Sequence, residues 1–288
     1  MRKLIVTGDD FGLSLSVNEA IEEAHRHGIL SCASLMVGAK AAADAVDRAR
    51  RLSSLRVGLH LVLVDGSPVS PPRAVPDLVT EKGEFSSNLF GAGINFFFRK
   101  QARKQLENEI RAQFQAFRDT GLPLDHVNSH HHMHLHPTIL GIILRVGRDY
   151  GMGAVRFPYE PPLLSWSASR KHLVRKISLW LFLWPWMTLL KKRLERAQVR
   201  SNDFLFGLND SGNMDAELAL RFLKRSPSGV TEIYFHPEIS DSHRTDGDRS
   251  RQREYEALIN PQLRQTLLTS GIQLTTFSDL RDPLKNPI

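Results

Sequence analysis

Apolar residues in the first part of the chain fall into short continuous runs separated by stretches with helical spacing. Residues 3–8, KLIVTG, form one such run and are rich in β-branched side chains, which is typical of a buried parallel strand. In residues 13–28 the apolar positions Val17, Ala20 and Ile21 recur on one helical face. The next elements repeat this order: a strand at 32–39, a helix at 41–52 and a strand at 56–64. The pattern predicts a parallel sheet with helices packed outside it.

A long segment without regular periodicity then interrupts this alternation. Residues 65–98 are rich in Pro, Gly and Ser, and we expect a loop over one end of the sheet. The elements predicted after it are a helix at 99–121, a strand at 124–132, a helix at 137–151, a strand at 154–161, a helix at 215–227, a strand at 231–238, a helix at 254–271 and a final strand or helix start at 272–280. No repeat or flexible linker divides the chain. We therefore predict an α/β fold with one domain over residues 1–288, a distorted (β/α) barrel that is closed or nearly closed.

The composition supports a globular domain and excludes intramolecular disulfides as well as zinc sites built from cysteines. Among the 288 residues, 41% are apolar and 8% are aromatic, which is enough for a sizeable core. Cys32 is the single cysteine, so intramolecular disulfides and cysteine-based zinc sites are excluded. The N-terminal apolar run is too short for a signal peptide, so we expect a cytoplasmic protein.

Several Asp, His and Arg side chains lie at the predicted carboxyl ends of the strands, which is where parallel α/β folds bind their ligands. They are Asp9 and Asp10 after the first strand, His60 near the end of the third, the histidines of residues 126–136, Arg156 on the following strand, and His236 at the end of YFHPE. This convergence at one end of the sheet is more informative than any of the motifs alone.

The segment 124–137, LDHVNSHHHMHLHP, holds six of the twelve histidines. It is internal and is interrupted by Met133 and Leu135, so it does not resemble an expression tag. If the chain stays extended, alternation places His130, His132 and His134 on one face together with His136. A metal site needs one or two of these rings, and His132 and His134 are candidates for substrate contact.

Asp9 and Asp10 are adjacent, so along an extended chain their carboxylates point in different directions. One can bind a metal while the other acts as a general base; the alternative is that the pair caps the following helix. His60 lies alone in an apolar strand, where a hydrogen-bonded core histidine is the commoner interpretation, but the aspartates and the histidine run favour a ligand. An Asp with two His and open positions is typical of a catalytic metal site, with zinc favoured and magnesium or another divalent ion possible. This chemistry predicts hydrolysis of an amide or ester.

Four motifs in order, TGDDFG, GLHLVL, HVNSHHHMH and FHPE, resemble the YdjC-like carbohydrate deacetylases over almost the whole chain. The resemblance implies a barrel-like fold related to the NodB-type polysaccharide deacetylases and removal of N-acetyl groups from amino sugars. It implies metal ligands Asp10, His60 and His130, with Asp9 as base and His236 as acid. RFPY resembles a motif whose arginine, here Arg156, orients the base. Asn128 departs from the pattern, because relatives often carry Asp there.

Residues 163–200 form an apolar and basic insert. Its central part, Ile177 to Leu190, reads ISLWLFLWPWMTLL and carries no charge, whereas nine Lys or Arg and one acid lie between Arg170 and Arg200. Fourteen uncharged residues interrupted by Pro185 are too few to cross a bilayer, which needs about 20 apolar residues. We expect a segment lying in a membrane interface, with Trp180 and Trp184 as candidate substrate contacts. A buried core helix and an oligomer contact are the alternatives.

Together with RFPYEPP and SNDFLFGLNDSGNMD, this insert resembles the deacetylases associated with hopanoid biosynthesis. The resemblance implies an N-acetylglucosaminyl bacteriohopanetetrol substrate and a peripheral position at the inner face of the cytoplasmic membrane. Soluble chitooligosaccharides are the first alternative substrate, and a non-catalytic metal-binding protein at a membrane surface is a more remote alternative. A nucleic-acid partner is disfavoured, because no mixture of basic and aromatic residues lies near the histidines. The oligomeric state stays open.

Overall fold

A parallel sheet forms the centre of the molecule in a computed structural model that describes residues 1–240 and 249–280. Its strands are β1 Arg2–Phe11, β2 Cys32–Leu35, β3 Arg56–Leu61, β4 Leu124–Ser129, β5 Phe204–Phe206, β6 Gly229–Phe235 and β7 Gln273–Leu274. They are ordered β4-β3-β2-β1-β6-β5, and the short β7 pairs with the start of β1. Every strand pair is parallel. The carboxyl ends of the strands therefore meet on one side.

Sparse hydrogen bonds close the open edges of this sheet into a distorted barrel. Beyond β4, the amide of Val127 donates to the carbonyl of Ala154 (3.0 Å), and the amide of Val155 donates to that of Arg200 (2.9 Å). The amide of Leu205, on β5, then donates to the carbonyl of Tyr159 (2.8 Å). The predicted α/β fold with a distorted (β/α) barrel is confirmed. The strand expected at 154–161 is reduced to isolated bridges at its first two residues.

Ten α-helices lie within the described residues. They are α1 Leu15–His27, α2 Ala42–Arg51, α3 Leu89–Phe98, α4 Lys100–Asp119, α5 Pro137–Asp149, α6 Pro162–Ser169, α7 Leu173–Arg196, α8 Ala216–Arg225, α9 Arg249–Leu258 and α10 Pro261–Thr269. The main core lies between the sheet and these helices, and it includes Val17 and Ile21 of α1 and Ile139 and Ile143 of α5. Burial of these helical faces removes apolar surface from water, which drives the folding of the layers together.

The interior of the barrel changes from apolar to polar along β1. Ile5 belongs to a small apolar cluster, whereas Thr7 donates a hydrogen bond to Glu232 and Asp9 is paired with Arg156. These three residues alternate along one face of the strand. On β3, Gly58 makes room for the His126 ring, because a Cβ atom there would lie 2.5 Å from it. The barrel is thus closed by apolar packing at one end and holds charged groups towards the other.

One loop prediction and one helix prediction need correction. Residues 65–98 are not loop throughout, because α3 occupies the last ten of them and a 3₁₀ turn forms at Pro72–Ala74. The helix expected at 254–271 is divided into α9 and α10. Asn260 caps α10 by accepting hydrogen bonds from the amides of Gln262 and Leu263, and Pro261 occupies the first helical position. A proline disfavours helical geometry in the residue before it, so the break falls at Asn260.

The apolar and basic insert folds into α6 and α7, and α7 is longer than the uncharged run suggested. It is one helix of 24 residues that contains Pro185 without ending there. In the described part of the chain, α7 alone is long and apolar enough to cross a membrane by length and composition. The prediction that the segment is too short to span was therefore wrong, because the helix continues into the flanking basic residues. Only 17% of its most apolar window is buried in the protein.

Candidate active site

A cavity of about 430 Å³ lies at the carboxyl ends of the strands. It is lined by residues from β1, β3, β6, α9 and the histidine run: Asp9, Asp10, His60, His130, His132, Tyr234, His236, Arg251 and Glu254, with several neighbours. The predicted catalytic and metal-binding residues lie in or directly beneath this cavity. Its position follows from the parallel sheet, because the lining residues of β1 and β3, the histidine run and the end of β6 lie at strand ends on the same side, and α9 adds Arg251 and Glu254.

Asp10, His60 and His130 form a compact group of potential metal ligands. One ligand atom from each lies within 4.8 Å of the others. Asp10 Oδ1 is 3.5 Å from His60 Nε2 and 3.4 Å from His130 Nδ1. Two atoms bound to one zinc ion at about 2.1 Å with tetrahedral angles lie about 3.4 Å apart. Asp10 Oδ1 and His60 Nε2 are also buried without a hydrogen-bond partner among the described residues, which fits two atoms that share a cation.

The tautomer of His60 suits this role. Its Nδ1 lies 2.8 Å from Oδ1 of Asn128, which accepts the ring proton and leaves the Nε2 lone pair facing Asp10. Burial disfavours the charged imidazolium and lowers the pKa of His60 to about 4, in spite of the attraction of Asp9 and Asp10. A neutral ring is the form that binds a metal.

Asp10 lies in an irregular part of β1. The register between β1 and β2 shifts between Gly8 and Phe11, and Asp10 has a φ angle of 64°. A β-bulge of this kind redirects a side chain. Asp9 and Asp10 contact different partners, as the alternation of side chains along a strand predicted. Because the strand is irregular here, both carboxylates nevertheless face the cavity. Neither carboxylate caps α1, because the N-cap is Ser14.

Electrostatics keep Asp10 ionised and hold its second oxygen. Burial favours the neutral acid, but the close contact with His130 and the proximity of His236, His60 and Arg251 hold the pKa of Asp10 well below its ordinary value. Arg251 Nη2 donates to Asp10 Oδ2 at 2.6 Å. One oxygen of the carboxylate is thus fixed by an arginine, and the other faces the two imidazoles.

The histidine run does not stay extended as expected. Residues His130–Leu135 form tight 3₁₀-type turns interrupted by a kink, where His131 and His132 both have left-handed φ angles of 52°. Left-handed geometry in a residue with a side chain costs about 1–3 kcal/mol and is often found near active sites. The turn brings His130 beside His60, with ring centroids 5.7 Å apart, and directs His131 towards Asp65 (Nε2 to Oδ2, 3.2 Å).

Asp9 forms a buried ion pair with Arg156. Arg156 Nη1 lies 2.5 Å from Asp9 Oδ2, and its Nη2 lies 3.0 Å from Oδ1. The same guanidinium contacts Glu232 Oε1 through Nε (3.0 Å) and Nη2 (2.7 Å). Burial raises the pKa of Asp9, but the charge and hydrogen bonds of Arg156 outweigh it and leave the pKa below the ordinary value. Asp9 is therefore an ionised carboxylate beside the metal-ligand group.

His236 and Tyr234 reach the cavity from the end of β6. The His236 ring is partly exposed, and its centroid lies 5.4 Å from that of Tyr234. Tyr234 also lies beneath the Arg156 guanidinium, 4.8 Å from the ring centroid, and its hydroxyl is 3.1 Å from His132 Nε2. Glu254, from α9, accepts the backbone N–H of His236 at 2.5 Å. This places a titratable ring at the cavity surface on a fixed backbone.

Three of the residues expected to contact substrate lie outside the cavity, whereas His132 lines it. His134 is fully buried, with Nδ1 2.8 Å from the Ser129 hydroxyl. Trp180 lines a separate small cavity that shares Leu208 with the catalytic one. Trp184 packs on Trp180 and Tyr159, with centroids 5.0 and 6.4 Å apart. The geometry gives His134 a structural role and leaves the two tryptophans beside the cavity.

Sequence reasoning missed several residues that complete the site. Glu232 was detectable as a lone acid two and four residues before Tyr234 and His236, so that all three share one face of β6. Arg251 and Glu254 gave no such signal, because they come from a helix more than 200 residues away from Asp10. Asn128 was noted as a departure from the family pattern. It bonds both His60 and Asp9, because its Nδ2 donates to Asp9 Oδ1 at 3.0 Å.

Comparisons with known proteins agree with this geometry. Residues 3–269 match the family described as YdjC-like protein. A carbohydrate deacetylase from Brevibacillus brevis is 31% identical over 96% of this chain and 99% of its own length. One from Geobacillus stearothermophilus is 30% identical over 96% and 98%.

A solved structure from Enterococcus faecalis, described as a candidate cellobiose-phosphate cleavage protein, has a TM-score of 0.75 and 27% identity. It covers 97% of this chain and 98% of its own. The matches thus extend over nearly the whole fold as well as the motifs. The chain belongs to the YdjC-like protein family.

Proposed function

We infer that this protein is a carbohydrate deacetylase, a hydrolase that removes the acetyl group from an amino sugar. The two full-length relatives carry this activity in their names. The observation that carries the inference is the arrangement of Asp10, His60 and His130 beside the ionised Asp9 in one cavity. Three ligands with open positions, a base and a second titratable group are the components that amide hydrolysis requires.

The proposed cofactor is a divalent cation, with zinc favoured by the donor set of one carboxylate and two imidazoles. Asp10 Oδ1, His60 Nε2 and His130 Nδ1 would hold it. When bound, such an ion supplies Lewis acidity that polarises a carbonyl group and acidifies water. Asn128 orients the His60 ring, and Arg251 holds the second oxygen of Asp10.

Asp9 is the proposed general base. It accepts a proton from the attacking water as the water oxygen bonds to the acetyl carbonyl carbon. Arg156 keeps the carboxylate ionised and limits its orientation through two hydrogen bonds. His236 is the proposed general acid: its imidazolium donates a proton to the nitrogen as the C–N bond breaks. The products are acetate and the free amino sugar.

For the substrate we propose a membrane-presented glycolipid, the N-acetylglucosaminyl bacteriohopanetetrol implied by the sequence resemblance. The support is helix α7, which exposes Phe182, Trp184 and Trp186 to solvent. Leu208 borders both the catalytic cavity and the narrow gap under α7, so the apolar face of α7 lies next to the catalytic cavity, where an apolar group attached to the sugar would meet it. The buried Lys176, Met187 and other residues hold α7 along the protein, which favours a peripheral position at the inner face of the cytoplasmic membrane over a crossing.

The test is acetate release from N-acetylglucosaminyl bacteriohopanetetrol in detergent micelles, beside soluble N,N′-diacetylchitobiose, with and without a chelator. We expect chelator-sensitive release that is at least about tenfold faster from the lipid at equal concentration, given the apolar contacts available to it. Release from chitobiose alone would support the proposed deacetylase activity but would overturn the proposal that the substrate is a lipid. Release that survives complete metal removal would overturn the metal-dependent mechanism.

A further inference from the structure

Helix α3, like α7, exposes several large apolar side chains. Of its large side chains only Phe96 is buried, whereas Phe90 is 80% and Phe98 is 71% exposed. Leu89, Ile94 and Phe97 are also exposed. Contiguous apolar surface of this kind is uncommon on monomeric proteins and generally marks an interaction site. The helix spans only ten residues, about 15 Å, so it is too short to cross a bilayer.

The two exposed helices border the same parts of the molecule. At its start α3 contributes Leu89 to the catalytic cavity, while α7 lines the small cavity that shares Leu208 with it. At their other ends both helices reach the turn before α5. The Phe97 ring lies 6.1 Å from that of His136, and Arg193 donates from Nη1 to the carbonyl of Pro137 at 3.0 Å. Helix α3 therefore borders the catalytic cavity directly, and α7 lies next to that cavity across Leu208.

We propose that α3 and α7 together form one membrane-docking surface around the catalytic cavity, and that its occupant is a bilayer containing anionic lipids. Cations flank both apolar segments: Arg99 and Lys100 follow α3, and Arg175 and Lys192 lie on α7, all four exposed. Apolar side chains between exposed cations are typical of a helix in a membrane interface. Two such helices would anchor the cavity mouth at the depth where a glycolipid headgroup lies.

This inference deepens the proposed function and rests on its membrane-presented substrate, but it can be tested without any substrate. The probe is vesicles of phosphatidylcholine with about 30% phosphatidylglycerol, whose anionic headgroups attract exposed Lys and Arg side chains. Three variants are compared with the parent protein: Phe90→Ser/Phe98→Ser on α3, Phe182→Ser/Trp186→Ser on α7, and Leu268→Ser as a matched control. Leu268 is 73% exposed on α10, away from both helices.

We expect each double variant to lower the vesicle partition coefficient by about tenfold or more, since each removes two large apolar contacts. The control variant should bind like the parent, and all proteins should keep the same circular dichroism and metal content. If only the α7 variant weakens binding, the two-helix surface is overturned while the proposed glycolipid substrate stands. If the α3 variant changes self-association and not partition, α3 is a protein contact and the inference fails.

An environment-sensitive fluorophore gives a second readout. Cys32 is the sole cysteine and is fully buried, so Phe98→Cys creates a single accessible labelling site. We expect a blue shift of the label on adding the anionic vesicles, because position 98 enters an apolar environment. The same label at Leu268→Cys should show no shift. An unchanged spectrum at position 98, with vesicle binding intact, would contradict contact between α3 and lipid.

Discussion

The adjacent residues Asp9 and Asp10 have different partners because β1 is irregular between them. Asp10 takes a φ angle of 64° and faces His60 and His130, while Asp9 pairs with Arg156. Their carboxylates are both buried and both ionised, since each lies beside cationic or hydrogen-bonding groups that offset desolvation. The separation of the proposed ligand Asp10 from the proposed base Asp9 thus depends on the local backbone together with distant side chains.

Replacing Asp9 by Asn should separate catalysis from metal binding. The ligand atoms of Asp10, His60 and His130 stay in place, but the amide cannot accept a proton. We expect metal content close to that of the parent and a kcat lower by about 10²–10⁴-fold, the usual contribution of a general base. Metal analysis and acetate release on the same preparation measure both. A fully loaded Asp9→Asn protein with the parent rate would exclude Asp9 as the base.

Asn128 should matter for metal affinity although it is not a predicted ligand. It accepts the Nδ1 proton of His60 and thereby orients Nε2. Loss of such an outer hydrogen bond typically weakens metal binding by about 10–100-fold, and we expect this range for Asn128→Ala in a zinc competition titration. His130→Ala should abolish binding, and His131→Ala, next to it but outside the Asp10 group, should retain it. Equal affinity in Asn128→Ala and the parent would contradict this role.

At the scale of elements, β6 shows how one strand serves both the core and the site. Glu232, Tyr234 and His236 alternate along one face and contact Arg156, His132 and the cavity in turn. Ile233 and Phe235, between them, belong to the core on the other side. Every second residue of this segment therefore contributes to the site, from the buried interior at Glu232 to the surface at His236.

Helix α7 remains continuous through Pro185 because the proline lies on an exposed part of the helix. Pro185 removes the N–H that would bond the carbonyl of Leu181. Leu181 is 61% exposed, so water or lipid headgroups can satisfy that carbonyl. The start of α7 is fixed by Lys176, whose Nζ donates to Ser165 (2.6 Å), Ser169 (2.9 Å) and Asp210 (2.7 Å).

We expect the buried ion pair between Lys176 and Asp210 to stabilise the insert. Lys176→Met leaves the buried Asp210 carboxylate without its cation, and we expect the free energy of unfolding to fall by about 3–5 kcal/mol. The double variant Lys176→Met/Asp210→Asn should recover part of this loss. Lys171→Met, at an exposed lysine nearby, should change stability by less than about 0.5 kcal/mol. Denaturant unfolding measures all three, and an unchanged midpoint for Lys176→Met would show that the pair does not stabilise the insert.

At the scale of the whole molecule, the polar interior of the barrel makes stability depend on pH. Burial and the charge of Arg156 lower the pKa of His134 to about 3, against about 6.5 in the unfolded chain. Below pH 6.5 the His134 side chain is protonated in the unfolded state but stays neutral in the folded state until the pH approaches 3. The contribution of His134 is therefore complete above pH 6.5 and is lost as the pH falls towards 3.

We expect His134 to account for about 1.4 kcal/mol of lost stability per pH unit in this window. His134→Gln removes the titrating group, so its free energy of unfolding should fall less steeply between pH 6.5 and pH 4.5. Denaturant titrations of both proteins at several pH values give the two slopes. If the free energy of unfolding changes equally with pH in both proteins, His134 is protonated to the same extent in the folded and unfolded states, and the prediction is wrong.

Motif order and periodicity were sufficient to predict the fold and to select the residues that meet in the cavity. Asp9, His60, His130 and His236 lie at or near the carboxyl ends of buried parallel strands, so they had to meet on one side of the sheet whatever the details of the loops. The family resemblance predicted from the same motifs is confirmed. Local chemistry could also single out α7, because fourteen residues without a charge are evident in the sequence itself.

Tertiary structure alone decided the features that depend on distant partners or on backbone turns. The left-handed angles of His131 and His132 replaced the expected alternation, so His134 became a core residue. Arg251 reaches Asp10 across 241 positions, a contact that no local pattern encodes. Helix α3 formed in a segment whose glycines and prolines predicted a loop. The sequence by itself determined which side chains lie at the strand ends, because strand direction and period are local; their mutual orientation required the folded chain, because it arises from packing between remote segments.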